Sequence, residues 1–174
     1  MDKATVAKRI YDAAHITGTF LLRSGQTSNE YFDKYLFEAE PALLADIAQE
    51  MKALIPADAE VLAGLEMGGI PVVTALSMAS GMKAAFVRKK AKEYGTCRLA
   101  EGAEISGKRV CIVEDVVTTG GQIIESATAL RERGAVVENV MCVILRDERA
   151  IALLAAEGLT LIPAFTMEYI KAQV

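Results

Sequence analysis

Two adjacent carboxylates stand at the end of an apolar run, directly before a turn of small residues. Glu114 and Asp115 follow the run 110–113, and the Thr-Thr-Gly-Gly turn 118–121 precedes a helical pattern. Small residues let backbone N–H groups approach an anion, and a helix N-terminus adds partial positive charge. Two acids beside a phosphate would repel it unless ribose hydroxyl groups or Mg²⁺ lie between them. The pattern therefore predicts a site for a nucleotide-like sugar phosphate.

The same segment has a simpler explanation, in which a surface turn supplies threonines and glycines that cap the next helix. It is not a Walker A motif, because no Gly-Lys-Ser/Thr follows, and it is not a GxGxxG motif. The acid pair directly after an apolar strand favours the functional explanation.

Positive charge is concentrated in one segment of a chain whose net charge is −4. Residues 88–92 contain four cations in five positions, after the apolar run 84–87 and before an irregular stretch to Gly107. Such a cluster is either a solvated surface or a mobile lid that neutralises an anionic ligand. Its position after a buried strand favours the lid.

Length and composition exclude several classes. A chain of 174 residues predicts a single domain, 1–174. The absence of Trp and the net charge of −4 predict no nucleic-acid partner. The longest uncharged run, 67–82, is shorter than the ~20 residues of a membrane span, and the charged residues near Met1 do not resemble a secretion signal. Three cysteines without CxxC spacing and one histidine, His15, indicate neither disulfides nor a zinc site. We therefore expect a cytoplasmic protein with no membrane partner.

The elements that position these residues follow from the apolar periodicity. After residue 56, short apolar runs alternate with helical patterns, which predicts an α/β fold with a mostly parallel sheet of about five strands flanked by helices. A helix over 2–16 and a small N-terminal hood, about 17–37, precede it, and the hood contains strands at 19–22 and 31–37. The remaining predicted helices are 41–54, 71–79, 122–133 and 148–156, and the predicted sheet strands are 61–63, 84–87, 110–113, 140–145 and 159–162.

Residues 110–122 resemble the phosphoribosyl-pyrophosphate (PRPP) signature of the type I phosphoribosyltransferases. Three further segments resemble parts of the orotate phosphoribosyltransferases in the same order: 20–33 the hood, 62–71 the pyrophosphate loop and 86–95 the mobile catalytic loop. The resemblance covers the chain from about residue 20 to residue 146. It implies a type I phosphoribosyltransferase fold and transfer of the phosphoribosyl group of PRPP to orotate, giving orotidine 5′-phosphate and pyrophosphate in pyrimidine (UMP) biosynthesis.

The resemblance also implies roles for individual residues. Lys89 and Lys92 would act on the departing pyrophosphate, and Glu114 and Asp115 on the ribose, as the catalytic residues. The implied PRPP-binding residues are Arg88, Lys89, Lys92, Tyr94, Glu114, Asp115, Val116, Val117, Thr118, Thr119, Gly120, Gly121 and Gln122. The implied orotate-binding residues are Arg23, Tyr31, Phe32, Thr118 and Arg146. The implied cofactor is Mg²⁺, held mainly by PRPP and water and directly by no side chain, and the implied assembly is a homodimer with shared active sites.

Several of these residues have a second explanation. Tyr31 and Phe32 either flank the pyrimidine ring or pack the hood onto the core. Arg23 stands where the family more often has a lysine, and it is otherwise a solvated turn residue. Arg146 either binds the orotate carboxylate or pairs with a neighbouring acid, Asp147 or Glu148. Glu66 in the pyrophosphate loop either orders that loop or contacts a Mg²⁺-bound water.

Two positions depart from the family pattern. Gly68 occupies a place where some members have a lysine, so this side-chain contact to pyrophosphate is missing. Tyr94 stands where a histidine is common, and a tyrosine is neutral near pH 7.

Two rival functions differ from this one in substrate or class. A purine phosphoribosyltransferase is disfavoured by the hood and by Arg146, since a purine brings no carboxylate. A non-catalytic regulator that binds RNA or DNA is disfavoured by the net negative charge and the retained lysines. A turnover assay with orotate and PRPP separates all three.

Overall fold

The computed structural model describes residues 1–174 and contains eight strands and seven helices. The strands are β1 (His15–Leu21), β2 (Thr27–Phe32), β3 (Val61–Leu65), β4 (Ala84–Val87), β5 (Ala100–Gly102), β6 (Arg109–Val117), β7 (Val136–Leu145) and β8 (Thr160–Thr166). The helices are α1 (Lys3–Ala14), α2 (Lys34–Glu38), α3 (Pro41–Lys52), α4 (Gly69–Ser80), α5 (Gly121–Glu132), α6 (Arg149–Ala155) and α7 (Met167–Lys171).

The central sheet has six strands in the order β5-β4-β3-β6-β7-β8. All neighbours pair in parallel except β5, which pairs antiparallel with β4. The mostly parallel sheet expected from the apolar runs is confirmed. The additional strand, β5, lies in the stretch expected to be irregular, because three residues are too few to give a periodic pattern. The C-terminal helix α7 was not expected either.

Helices cover both faces of this sheet. On one face, Ile112 of β6 joins a buried cluster with residues of α5 and α6 such as Leu130 and Leu154. On the other face, Val113 joins a cluster with residues of α1, α3, α4 and α7, among them Ile47. Consecutive strand residues point to opposite faces, so an uninterrupted apolar run serves both layers. No helix combines the length and apolarity needed to cross a bilayer.

The hood consists of β1 and β2, which form a separate antiparallel pair. The strand predicted over 31–37 is correct only as far as Phe32. The Asp33 side chain accepts a hydrogen bond from the Tyr35 N–H at 3.1 Å and caps α2, which buries Phe37 and Glu38. A short apolar run fits a strand and a helix equally well, and here the cap begins a helix.

Candidate active site

A cavity of about 450 Å³ opens at the C-terminal end of β6. Open α/β sheets bind ligands at this end of their strands. The predicted site residues that line it are Arg23, Lys89, Glu114, Val116, Val117, Thr118, Thr119, Gly120, Gly121 and Gln122. The structure thus brings together the hood turn, the start of the basic segment, one of the two acids and the small-residue turn.

The turn between β6 and α5 presents uncapped backbone N–H groups to this cavity. Gly120 has a φ of +83°, a left-handed conformation that favours glycine, and α5 follows with no side-chain hydrogen bond at its N-terminus. The threonine side chains therefore do not cap α5, whereas Gly120 occupies its N-cap position. Free N–H groups and the positive end of the helix dipole make this turn suitable for a phosphate group.

The two carboxylates of β6 have different surroundings, because neighbouring strand residues point to opposite faces. Glu114 lines the cavity, and burial together with repulsion from Asp115 raises the pKa of Glu114 to about 8. The side chain of Asp115 is only 1% exposed. Its Oδ1 accepts a hydrogen bond from the Val116 N–H at 2.6 Å. Glu114 therefore faces the cavity, whereas Asp115 is buried next to it.

Two residues that sequence analysis missed complete this acidic cluster. Lys34 Nζ lies 2.6 Å from Asp115 Oδ2, and Lys34 also lines the cavity. Glu38 is 7% exposed, and neither of its carboxyl oxygens has a hydrogen-bond partner. Burial, and then the neighbouring Asp115, raise the pKa of Glu38 to about 9. The available signal was Asp33 as a helix cap, followed by a Lys and a Glu at i,i+4 spacing.

The turn between β3 and α4 packs directly against the acid pair. A Cβ atom at Gly68 would lie 1.8 Å from Asp115 Oδ2, so no side chain fits at this position. The Glu66 carboxylate accepts a hydrogen bond from the Lys89 N–H. Of the two roles left open for Glu66, this contact supports the ordering of the loop.

A smaller cavity, of about 180 Å³, is lined by four of the predicted orotate-binding residues, Tyr31, Phe32, Thr118 and Arg146. The Arg146 N–H donates to the Val117 carbonyl at 2.8 Å, and its guanidinium carbon lies 5.9 Å from the centre of the Phe32 ring. Arg146 forms no ion pair within the chain. This guanidinium therefore remains available to an anionic ligand.

The neighbouring acids do not neutralise Arg146. Asp147 pairs with Arg149 instead, and Glu148 forms no ion pair.

The two cavities meet along a common wall. Four residues line both of them: Lys34, Tyr35, Val116 and Thr118. Thr118 is therefore placed where both predicted roles, PRPP binding and orotate binding, require it. Arg23 lines only the larger cavity.

The basic segment divides between two locations. Lys89 lines the larger cavity of its own chain, whereas Arg88 Nε and Lys92 Nζ lie 3.6 and 3.3 Å from Glu101 Oε1 on β5. Tyr94 is 74% exposed and lies outside the cavity. Strand β5 thus holds the base of the segment and leaves its tip, 93–98, exposed.

Comparison with known proteins identifies the family. The sequence pattern of the phosphoribosyl transferase domain matches residues 36–157. Over 163 residues, covering 94% of this chain and 91% of the relative, the chain is 50% identical to an orotate phosphoribosyltransferase from Nocardioides sp.. The chain belongs to the orotate phosphoribosyltransferase family.

Solved structures of orotate phosphoribosyltransferases share the fold. The Mycobacterium tuberculosis enzyme in complex with Fe(III) dicitrate matches with a TM-score of 0.89 and 32% identity, over 98% of this chain and 99% of that one. The same enzyme in complex with PRPP matches with a TM-score of 0.84 and 29% identity, over the same shares. The type I phosphoribosyltransferase fold and the orotate phosphoribosyltransferase function expected from the motifs are both confirmed.

Proposed function

We propose that the two joined cavities are the two substrate sites of this orotate phosphoribosyltransferase. The larger would bind PRPP and the smaller orotate. The observation that supports this assignment is their common wall. One cavity combines a carboxylate with an anion-binding turn, and the other combines an aromatic ring with an unpaired guanidinium. Donor and acceptor would meet beside Thr118.

The reaction would be a displacement at ribose C1′ through an oxocarbenium-like state, which is electronically similar to glycoside cleavage. Glu114 would accept hydrogen bonds from the ribose hydroxyls, and the buried Asp115 would add negative charge to balance the developing cation. Lys89, and Lys92 at closure of the basic segment, would neutralise the departing pyrophosphate. Orotate is already anionic, so no strong base is required.

The orotate carboxylate would pair with Arg146, since a guanidinium offers two parallel donors to a carboxylate. Phe32, whose ring lies against Arg146, would form one side of the pyrimidine site together with Tyr31. Tyr31 also packs on Phe20, with ring centres 5.6 Å apart, so it both supports the hood and lines the cavity. Arg23 would contact PRPP or orotate from the hood turn.

Mg²⁺ fits the larger cavity as a substrate-bound ion. Glu114 and the hydroxyls of Thr118 and Thr119 give this cavity oxygen donors, which Mg²⁺ prefers, and the ion commonly keeps its waters and binds substrate phosphates. When bound, it would reduce the negative charge on the pyrophosphate group. PRPP and water would hold it, with Glu114 facing its water shell.

The active protein would be a single-domain homodimer in the cytoplasm, with orotate and PRPP as its small-molecule partners. Its three cysteines are unpaired, which is typical of a reducing compartment. The exposed tip of the basic segment, which includes Tyr94, would close over the partner's site, as the family resemblance implies.

The test is an initial-rate assay with PRPP and Mg²⁺, in which orotate, uracil, adenine, hypoxanthine and guanine are compared at equal concentration. We expect formation of orotidine 5′-phosphate with orotate and at most a minor rate with the other bases. EDTA should abolish the rate, and Mg²⁺ should restore it. A purine turned over faster than orotate would contradict the assignment of the smaller cavity.

A further inference from the structure

Helix α2 places one cation and one carboxyl group against the buried acid of the site. Lys34 and Glu38 are separated by one helical turn and therefore lie on the same face of α2. Lys34 Nζ is 2.6 Å from Asp115 Oδ2, and the Glu38 carboxyl group is buried beside it without a hydrogen bond. Neither residue lies within the family-like segments 20–33, 62–71, 86–95 and 110–122.

The surroundings of Asp115 leave no other counter-charge. Its side chain is almost fully buried, and the Gly68 backbone packs against the same carboxylate oxygen that Lys34 approaches. The other titratable groups that face it are acidic: Glu38 on α2, Glu114 on its own strand and the Cys142 thiol on β7. A buried carboxylate among acidic neighbours stays ionised only if a cation pairs with it.

We propose that Lys34 and Glu38 are positioning residues of the transfer reaction, and that together they hold Asp115 as a single oriented anion next to Glu114. Lys34 would supply the counter-charge, and a neutral Glu38 would supply a hydroxyl donor to the same carboxylate. This inference rests on the proposed function, because it assigns Asp115 an electrostatic effect at the ribose.

The pKa directions agree with this arrangement. Burial opposes ionisation of Asp115, but Lys34, together with smaller contributions from Glu38 and the Val116 N–H, outweighs burial and lowers the pKa of Asp115 below its usual value. Burial also opposes charge on Lys34, but Asp115 raises the pKa of Lys34 above its usual value. Without the ammonium group, Asp115 would share a proton with Glu38 or Glu114, and the negative charge next to Glu114 would be lost.

The test is a double-mutant cycle of Lys34→Met and Asp115→Asn, with kcat, KM and the pH profile measured for both substrates. Lys34→Met alone should lower kcat by roughly 10- to 100-fold, leave the KM for orotate within about twofold and move the acidic limb of the profile to higher pH. In the Asp115→Asn background, Lys34→Met should lower kcat little further, because the effects of two residues that act through one another are not additive. Lys34→Arg should keep most of the kcat that Lys34→Met loses. Glu38→Gln should lower kcat less than Glu38→Leu, because the amide can still donate a hydrogen bond.

Lys8→Met is the matched control, since Lys8 forms an exposed i,i+4 ion pair with Asp12 outside the site, and it should leave kcat unchanged. Additive effects in the cycle, or a rise in the KM for orotate with unchanged kcat, would overturn the proposal. If Lys34→Met does not fold, Lys34→Arg, Glu38→Gln and Glu38→Leu are each combined with Asp115→Asn, and their effects on kcat are compared in the same way. If the wild-type protein does not turn over orotate, the proposed function fails. The double-mutant cycle is then measured on the affinity for PRPP by calorimetry. Additive effects on that affinity would overturn the coupling between Lys34 and Asp115 independently of the proposed function.

Discussion

At the scale of single residues, Glu114 and Asp115 contribute differently although they are neighbours in the chain. Replacing both by their amides, Glu114→Gln with Asp115→Asn, should lower turnover by roughly 10²-fold, because loss of a preorganised electrostatic partner commonly costs ~3 kcal/mol. Thermal melting should show an intact fold. Glu125→Gln, on the exposed face of α5, is the control. Turnover near the wild-type rate in the double variant would refute the role of the acid pair.

Glu38 makes stability depend on pH. The pKa of its carboxyl group is about 9 in the folded protein, whereas the ordinary value of a glutamate, 4.5, applies when the chain is unfolded. The folded state therefore binds more protons than the unfolded state. The contribution of protonated Glu38 to the free energy of unfolding is fully present below pH 4.5 and is lost as the pH rises towards 9. Glu38→Gln should be more stable than wild type by on the order of 2 kcal/mol at pH 8 and equal to it near pH 4. Melting temperatures of both proteins from pH 4 to pH 8 test this prediction. A gain in melting temperature for Glu38→Gln that is the same at every pH would contradict it.

Arg146 distinguishes the two substrates. Arg146→Ala should raise the KM for orotate by about 10- to 100-fold, since hydrogen bonds to a charged group contribute about 1.5–3 kcal/mol, and should change the KM for PRPP far less. Arg149→Ala removes a nearby exposed arginine that is paired with Asp147 and serves as the control. Equal effects on both KM values would give Arg146 a structural role, and a larger effect on PRPP would place it in the phosphate site.

At the scale of elements, the site depends on close contact between the β3–α4 turn and β6. Gly68→Ala would place a methyl group on the Asp115 carboxylate, so the turn or the strand must shift. Overpacking of this kind commonly costs about 1–3 kcal/mol, and we expect a lower melting temperature together with a loss of turnover of tenfold or more. Met78→Ala changes an exposed side chain on α4 that lines neither cavity, and it is the control. A Gly68→Ala variant with wild-type kinetics would show that this contact is not required.

At the scale of the whole molecule, the prediction concerns which subunit supplies the tip of the basic segment. Lys89 lines the cavity of its own chain, so the test leaves it unchanged and combines Tyr94→Ala in the tip with Lys92→Ala directly before the tip. This variant is mixed with the Glu114→Gln/Asp115→Asn variant, and subunits are allowed to exchange. If the tip acts on the partner's site, each heterodimer has one intact site and one with both defects, so activity should return towards half per heterodimer. No recovery after confirmed exchange would show that each tip acts within its own subunit.

The sequence by itself determined the parallel sheet, the anion-binding turn and the family, because each of them depends on patterns within short continuous segments of the chain. Apolar runs such as 110–113 are recognisable without knowledge of their neighbours, and so is the Thr-Thr-Gly-Gly turn. Only the tertiary structure decided that Asp115 is buried while Glu114 faces the cavity, and that Lys34 is the cation beside it. Residues 34 and 115 are distant in the chain, and their contact depends on the packing of α2 against β6. Local pattern carries no information about such packing, since the free energy of the pair arises only when both groups leave water together.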